Sequence, residues 1–442
     1  MNELKAVAME GTASPKPRFL QLIFVDINGV PKGMEIPIER YEEAVEEGIA
    51  FDGSSIPGFQ GIEDSDLVFK ADPGTYAEVP WEGIARVYGY VYKDGKPYGV
   101  DPRGVLREAL ERLEGEGFRA YVGPEPEFYL LKKNGTWELQ LPDSGGYFDL
   151  VTLDRARDVR REIALYMPYL GLKPEVLHHE VGKAQHEINF RYGEALRTAD
   201  NIVSFKYVVR AVAEMHGLHA TFMPKPLYGF PGNGMHLHIS LWKDGENAFT
   251  GEGGLSETAL HFLGGLLAHA KALAAITNPT VNSYKRLVPG YEAPVYISWG
   301  YRNRSALIRV PAFTGNGARI EYRCPDPSAN PYLAFAAVLL AGFDGIKRKL
   351  EPDAYVETNV YEMSEGERDK AGIETLPGNL GEALEELKRD KVVRAALGGA
   401  HRNFIEYKEG EWEAYLEYLE SRGLPENTKK VTEWELERYF HV

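Results

Sequence analysis

The sequence predicts an α+β fold in which a small β-rich domain precedes a larger domain of interleaved helices and strands. Apolar runs separated by turn signals fill the first hundred residues, and helical apolar spacing begins after Asp101. The chain has 442 residues, which is roughly three average domain lengths. We therefore expect one small domain over residues 1–101 and one large domain, with a helical C-terminal part, over residues 102–442.

Two β-hairpins are predicted in the N-terminal domain. The first joins the apolar run Phe19–Val25 to residues 30–36 through the turn signal Asn28-Gly29. The second follows residues 86–92, where Asp94-Gly95 begins a short return. Both hairpins make this part of the chain β-rich.

Helices dominate the rest of the chain. The first is predicted after Asp101-Pro102, because Asp can cap a helix and Pro fits its first turn. Further helical patterns cover residues 152–170, 196–216, 256–277 and 331–349, and then residues 378–390, 409–421 and 431–439 in a charged C-terminal subdomain. Strands are predicted between the helices.

Charge and hydropathy exclude two classes of partner. The formal net charge is -16 and no run of Lys and Arg stands out, which argues against nucleic-acid binding. The N-terminus lacks a signal-peptide core, and the most apolar helix candidate, residues 259–276, is interrupted by His261, His269 and Lys271. We therefore expect a cytoplasmic protein that does not bind a membrane.

Two predicted strands carry polar side chains on a single face. Glu125 and Glu127 stand two residues apart, so an extended strand points both to one side. Such carboxylates often mark a solvated strand edge, but apolar neighbours indicate burial, where paired carboxylates need cations. His236, His238 and Ser240 alternate with apolar residues, so one face packs while the other is free for chemistry.

A third segment indicates a site for a hard metal ion. Residues 175–187 hold Glu180 and Glu187 among several histidines, and Mg²⁺ or Mn²⁺ prefers carboxylate oxygen with an occasional imidazole. Cys324 is the only cysteine, so an intrachain disulfide and a thiolate metal cluster are excluded. We assign Cys324 no catalytic role, since a lone buried cysteine usually serves packing.

Arginines are concentrated in one part of this acidic chain. Alternation places Arg319, Glu321 and Arg323 on one face of a strand. Taken by itself, this segment favours a cross-strand salt-bridge ladder over a functional site. Four more arginines lie upstream, namely Arg286, Arg302, Arg304 and Arg309. Guanidinium groups clamp phosphate and carboxylate, so arginines beside a Glu/His metal cluster indicate a phosphoryl-transfer site.

Seven motifs follow one another in a family-specific order. They are Phe51-Asp52-Gly53-Ser54-Ser55, residues 123–128, 178–187 and 232–241, Asn278 with Tyr291-Glu292-Ala293-Pro294, Arg302-Asn303-Arg304-Ser305, and residues 319–327. In these motifs the chain resembles class I glutamine synthetases over nearly its whole length. The resemblance implies a β-grasp-like N-terminal domain, a glutamine-synthetase-type α/β catalytic domain, and a dodecamer of two hexameric rings with active sites between neighbouring subunits.

The resemblance also implies a reaction and its metal ligands. ATP-dependent ligation would join ammonium to the side-chain carboxylate of L-glutamate through γ-glutamyl phosphate, releasing glutamine, ADP and phosphate. Two or more divalent ions, Mg²⁺ or Mn²⁺, would assist in each active site. One ion would be held by Glu127, Glu180 and Glu187. The other would be held by Glu125, His236 and Glu321.

Further roles are implied for individual residues. Nucleotide contacts are expected from Glu175, His238, Ser240, Arg309 and Arg319. Glutamate contacts are expected from Gly232, Arg286, Glu292, Arg304 and Arg323. Asp52 of the adjacent subunit and Glu292 would bind and deprotonate ammonium, with Glu292 as proton acceptor, while Arg304 would stabilise the transferring phosphate. The loop with Glu292 would also shield the acyl phosphate from water.

The chain departs from the family in the loop before His236. Pro231 and Asn233 stand where Asn and Ser are common, so an amide that would hold the glutamate backbone is missing. This favours one alternative, a γ-glutamyl ligase of the same fold that uses a polyamine or another amine, although the retained Asp52 and Glu292 argue against it. A metal-dependent hydrolase or a silent assembly protein is a second alternative, but silent relatives should lose metal ligands and all six are present.

Two positions bear on regulation. Tyr361 aligns with a tyrosine that is adenylylated in one subclass, but the chain lacks the insertion of that subclass, so we expect Tyr361 to be unmodified. Gly61 stands where a feedback-inhibited subclass has Arg. Glutamine feedback through this position is therefore not expected.

Overall fold

The computed structural model describes residues 16–79, 81–133, 139–291 and 293–442. Its first elements are strands β1 (Phe19–Val25) and β2 (Pro31–Pro37), helix α1 (Tyr41–Glu46), and strands β3 (Ile49–Asp52), β4 (Asp66–Ala71), β5 (Ala77–Val79), β6 (Ile84–Lys93) and β7 (Lys96–Pro97). They form a sheet in the order β2-β1-β6-β4-β3, with β5 and β7 added against β6. The antiparallel pairs β1–β2 and β6–β7 confirm both predicted hairpins.

A second sheet organises the rest of the chain. Its strands are β8 (Arg119–Lys133), β9 (Leu139–Gln140), β10 (Pro174–His179), β11 (Gln185–Phe190), β12 (Gly193–Glu194), β13 (His219–Thr221), β14 (Met235–Lys243), β15 (Glu246–Asn247), β18 (Trp299–Tyr301), β19 (Ile308–Val310) and β20 (Ile320–Tyr322), while β16 (Thr250–Gly251) and β17 (Gly254–Leu255) pair separately. The main order is β10-β11-β8-β14-β20-β19-β18. The long strand β8, which carries predicted ligands itself, is therefore flanked by two further strands that carry them, β11 and β14.

The helices pack around this second sheet. They are α2 (Pro102–Glu114), α3 (Arg157–Tyr166), α4 (Ala195–Met215), α5 (Glu257–Ala268), α6 (Ala270–Thr277), α7 (Ser283–Arg286), α8 (Pro331–Arg348), α9 (Glu365–Lys370), α10 (Leu380–Arg389), α11 (Lys391–Ala396), α12 (His401–Arg422) and α13 (Glu433–Tyr439). Asp101 caps α2 as predicted, since its Oδ1 accepts the Arg103 N–H at 3.1 Å. Helix α3 begins later than predicted and α12 begins earlier.

The prediction of one helix over residues 256–277 is wrong in one respect, because this segment forms two helices. Helices α5 and α6 meet at His269 with a bend of 75°. The His269 imidazole lies between Asp390, 2.6 Å from Nδ1, and Asp344, 3.1 Å from Nε2. This tertiary contact is invisible to helical periodicity. Among the described ranges no single helix is long and apolar enough to cross a membrane, although the bent pair passes such a test on length and composition.

The first hairpin turn contacts the start of helix α8. Asn330, at the start of α8, donates from Nδ2 to the Asp26 carbonyl at 3.1 Å and to the Ile27 carbonyl at 3.3 Å. Gly29 has φ +79°, and a Cβ there would lie 2.7 Å from the Asn330 Cα. The turn therefore needs glycine both for its backbone conformation and for this close approach.

Candidate active site

Strand register brings the predicted ligands together from four neighbouring strands. On β8, Glu125 lies opposite His236 of β14, and Glu127 lies opposite Glu187 of β11. On the far side of β14, His238 lies opposite Glu321 of β20. The alternation of polar and apolar residues in these strands thus places their polar side chains over one region of the sheet, as predicted.

One predicted metal group is assembled in full. Ligand atoms of Glu125, His236 and Glu321 all lie within 4.8 Å of one another. His236 Nδ1 is 3.5 Å from Glu125 and 3.8 Å from Glu321. Glu321 is 1% exposed and accepts a hydrogen bond from Arg323 Nη1 at 2.6 Å and another from Arg309. Two carboxylates and an imidazole are a donor set that fits Mg²⁺ or Mn²⁺.

The surrounding charges keep this group ionised. Burial alone would raise the pKa of Glu321, but His238 and Arg323, with His236 and Arg309, lower it to about 2. The pKa of Glu125 is likewise held far below its ordinary value, since hydrogen bonds from His236 and His238 outweigh its burial. Deprotonated carboxylates are the form in which a metal is bound.

The second metal group contains one residue more than predicted. Ligand atoms of His178, Glu180 and Glu187 lie within 4.8 Å of one another, and the His178 ring is 3.3 Å from each carboxylate. Glu127 faces the same group, because it lies opposite Glu187 in the strand pairing and lines one cavity together with Glu180. Burial and the charges of Glu180 and Glu187 raise the pKa of Glu127 well above its ordinary value. The three carboxylates repel one another, with Glu187 buried and Glu127 and Glu180 half-buried, and so need a cation. The residues present therefore fit a divalent ion. Proximity in sequence to Glu180 was the only signal for His178.

A third cluster that sequence analysis did not single out is better explained without a metal. Asp143, His179 and His186 are fully buried with ligand atoms within 4.8 Å. However, Arg160 donates to His186 Nδ1 at 2.8 Å and is itself paired with Asp154 at 3.0 Å. A neutral imidazole that accepts at Nδ1 carries its proton on Nε2 and cannot bind a metal there. The cluster therefore acts as a buried hydrogen-bond network beneath the ligand strands.

A cavity of ≈ 320 Å³ lies on one side of the first metal group and includes Glu125 in its wall. Four of the five predicted nucleotide contacts line it, namely Glu175, His238, Ser240 and Arg319. The fifth, Arg309, is instead bonded to Glu321. The arrangement places a large cavity directly beside the predicted metal ligands.

Three aromatic residues of this cavity were missed by sequence analysis. Tyr121 lies with its ring centroid 5.6 Å from that of Trp242 and 6.2 Å from that of Tyr192. Trp242 Nε1 also donates to Ser240 Oγ at 3.1 Å. Extending the alternation by one step from Gly123 and from Ser240 would have found Tyr121 and Trp242. These rings provide faces on which a planar base can stack.

A smaller cavity of ≈ 160 Å³ lies beside the second metal group. Its wall includes Glu127, Glu180 and His236 of the metal groups. The predicted substrate contacts Gly232, Arg286 and Arg323 also line it. Arg286 is 3% exposed, and its Nη1 donates to the Cys324 carbonyl at 2.7 Å. Buried guanidinium groups beside carboxylates make this cavity suited to an acidic ligand.

Three side-chain hydrogen bonds fix the loop that precedes β14. Tyr129 Oη donates to the Pro231 carbonyl at 2.7 Å, and the Asn233 amide donates to the Met223 carbonyl at 2.9 Å. Gln185 Nε2 donates to Asn233 Oδ1 at 3.2 Å. Asn233 is fully buried, and its side chain fixes the loop from behind.

Some predicted residues are not brought into either cavity. Asp52 is exposed at the end of β3, where its Oδ1 accepts the Ser54 N–H at 2.8 Å. Arg304 is exposed and lines neither cavity. Glu292 lies outside the described residues. Burial raises the pKa of the Cys324 thiol to about 12, which agrees with its having no role as a nucleophile.

Comparisons with known proteins agree along the whole chain. The family model described as "Glutamine synthetase, beta-Grasp domain" matches residues 16–94, and "Glutamine synthetase, catalytic domain" matches residues 99–439. Curated relatives named Glutamine synthetase include one from Thermococcus kodakarensis, 78% identical over 443 residues with 100% of each chain covered, and one from Pyrococcus furiosus, 78% identical over 427 residues with 97% of each covered. A solved structure described as a GmaS/ADP complex in conformation 1 is 36% identical with a TM-score of 0.85, covering 99% of each chain.

Proposed function

This chain belongs to the glutamine synthetase family, and from that membership we propose how its residues divide the work of joining ammonium to glutamate. The enzyme is a glutamate–ammonia ligase that forms glutamine with the cleavage of ATP. Family membership, enzyme class and the α+β fold with a β-grasp domain were predicted from the motifs and are confirmed. The family uses ATP and divalent metals, and the assignments to single residues below are our proposal.

The observation that carries the proposal is the position of two cavities on either side of the paired metal groups. We place ATP in the ≈ 320 Å³ cavity, with its base among the aromatic rings. Glutamate occupies the ≈ 160 Å³ cavity, where Arg286 and Arg323 can pair with its carboxylates. Glu125 borders the first cavity and Glu127 the second. The terminal phosphate would therefore cross the region between the two carboxylate groups.

Both metal groups contribute to the phosphoryl transfer. We propose Glu127, Glu180 and Glu187 as ligands of one ion. Glu125, His236 and Glu321 would hold the other. Divalent ions held by these residues would supply positive charge opposite the terminal phosphate during its transfer to the glutamate side chain, which gives γ-glutamyl phosphate.

Arginine side chains provide the remaining positive charge. Arg319 lines the cavity in which we place the nucleotide, and Arg309 is bonded to Glu321 of the first metal group. Arg304 is exposed in the single chain, and we propose that it turns inward onto the transferring phosphate when substrates bind. Planar guanidinium groups suit this role because they contact two phosphate oxygens at once.

The ammonium site requires a second subunit in this proposal. Asp52 lies at the exposed end of β3, outside both cavities of its own chain, which supports its use by a neighbouring subunit. Glu292 would accept the proton from ammonium so that ammonia attacks the acyl phosphate. We accordingly retain the dodecamer of two hexameric rings, and the domain boundary between residues 1–101 and 102–442, as proposals. A cytoplasmic location stays a prediction.

Ammonium-dependent release of phosphate from ATP in the presence of glutamate tests this function. The assay is run with Mg²⁺ and with Mn²⁺, and ammonium is replaced in parallel by methylamine and by a polyamine. We expect glutamine and phosphate in equal amounts with ammonium only. Turnover with an amine but none with ammonium would refute the assignment and support the alternative raised by Pro231.

A further inference from the structure

Lys225 is a buried cation between two loops of the glutamate cavity. Its backbone is fixed by Asn282, whose Oδ1 accepts the Lys225 N–H at 2.6 Å and whose Nδ2 donates to the Lys225 carbonyl at 3.1 Å. Its Nζ donates to the Phe230 carbonyl and lies 3.9 Å from the centroid of the Tyr291 ring. Burial and the charge of Arg286 lower its pKa to about 8, so the cation persists at neutral pH. Lys225 therefore joins the loop before β14 to Tyr291.

Tyr361 makes a comparable contact with Ala293, which lies two residues after Tyr291 in the chain. Its Oη donates to the Ala293 carbonyl at 2.6 Å. The ring lies 6.1 Å from that of Tyr296 and packs against a small buried cluster that includes Val360. The Tyr361 hydroxyl is thus an anchored donor aimed at the Ala293 backbone.

The two residues that Lys225 and Tyr361 contact belong to one wall of a cavity. Tyr291 and Ala293 both line the glutamate cavity, next to Pro231 and Gly232. In the sequence they enclose Glu292, the proposed proton acceptor. Tyr291 is therefore held by a buried lysine and Ala293 by a half-buried tyrosine.

We propose that Lys225 and Tyr361 are positioning residues that fix this wall and thereby keep water away from γ-glutamyl phosphate. The inference rests on the function proposed above. If the wall shifts, a water oxygen bonds to the γ-carbonyl carbon and the bond from that carbon to the phosphate oxygen breaks. The products are glutamate, phosphate and a proton, so ATP is consumed without glutamine. Neither side chain needs to touch the reacting atoms for this effect.

The test is the ratio of released phosphate to glutamine at limiting ammonium. Removing the lysine cation in Lys225→Met should raise this ratio about tenfold, and losing one hydroxyl in Tyr361→Phe about threefold. Lys225→Arg keeps the cation over the Tyr291 ring and should restore the ratio. Controls are Lys206→Met, which removes a buried lysine bonded to the Pro327 carbonyl, and Tyr88→Phe, which removes a buried hydroxyl bonded to Ser204.

A second measurement reports on the wall directly. Chymotrypsin cleavage after Tyr291, followed by mass spectrometry, should accelerate in Lys225→Met and Tyr361→Phe and not in the two controls. The inference is overturned if both variants keep the wild-type ratio and cleavage rate, or if the controls change as much as the variants do. A wild-type protein that forms no glutamine would instead refute the proposed function, and the cleavage rates would still decide the role of Lys225 and Tyr361.

Discussion

Replacing Glu321 by glutamine tests the metal assignment most directly. The change keeps the shape of the side chain and removes its charge. The lowering of the Glu321 pKa from 4.5 to about 2 corresponds to roughly 3 kcal/mol of favourable interaction with its cationic neighbours. Arg323 is only 2% exposed and would lose this partner, and breaking a buried pair typically costs about 3–5 kcal/mol.

Metal-supported turnover should suffer beyond this loss of stability. Since changes in outer-shell partners alone weaken metal binding about 10–100-fold, we expect Glu321→Gln to raise the half-saturating Mg²⁺ concentration by at least that much. The assay is phosphate release against Mg²⁺ and Mn²⁺ concentration, with thermal unfolding measured alongside. Glu411→Gln is the matched control, because Glu411 is 3% exposed and paired with Lys408 at 3.1 Å in the C-terminal helices. Wild-type metal dependence in Glu321→Gln would refute the ligand assignment.

Three further predictions concern other parts of the molecule. Asn233→Ala should raise the KM for glutamate about tenfold, because it leaves buried carbonyl groups unpaired behind the loop; an unchanged KM in steady-state kinetics would contradict this. In Mn²⁺ titrations followed by electron paramagnetic resonance, Glu180→Gln should remove the tighter Mn²⁺ site and Glu125→Gln the weaker one. Loss of the weaker site in Glu180→Gln and of the tighter site in Glu125→Gln would contradict this prediction. Burial alone would lower the pKa of His269, but hydrogen bonds to Asp390 and Asp344 raise it above 6.5. The stabilisation from protonated His269 is therefore complete below pH 6.5 and is lost as the pH rises through the raised pKa. In urea unfolding, His269→Gln should consequently reduce the free energy of unfolding more at about pH 6 than at about pH 9.

Local sequence patterns were sufficient to predict the elements that are determined by neighbouring residues in the chain. The hairpin at Asn28-Gly29, the cap at Asp101 and the polar face of β14 all follow from turn chemistry, capping and alternation. The break at His269 could not be predicted from local spacing, because the partners of its imidazole are aspartates far away in the sequence. His178 could not be assigned either, since its approach to Glu187 depends on the pairing of β10 with β11.

The same physics explains why two glutamates on one strand face different partners. Glu125 and Glu127 share a face of β8, but Glu125 adjoins the histidines of β14 while Glu127 adjoins Glu187 of β11. The pKa of Glu125 is accordingly lowered and that of Glu127 is raised.

The two metal groups therefore differ in how much of their negative charge the protein itself compensates. Arg309 and Arg323 pair with Glu321 in the first group. In the second group two carboxylates lie against the His178 imidazole and Glu127 adds a third, with Arg286 as the weaker of the influences on Glu127. A divalent ion gains more Coulomb energy where more charge is uncompensated. If both groups bind metal as proposed, the second group should consequently fill first. A cation there would lie beside the cavity proposed for glutamate before a nucleotide brings its own charge to the first group.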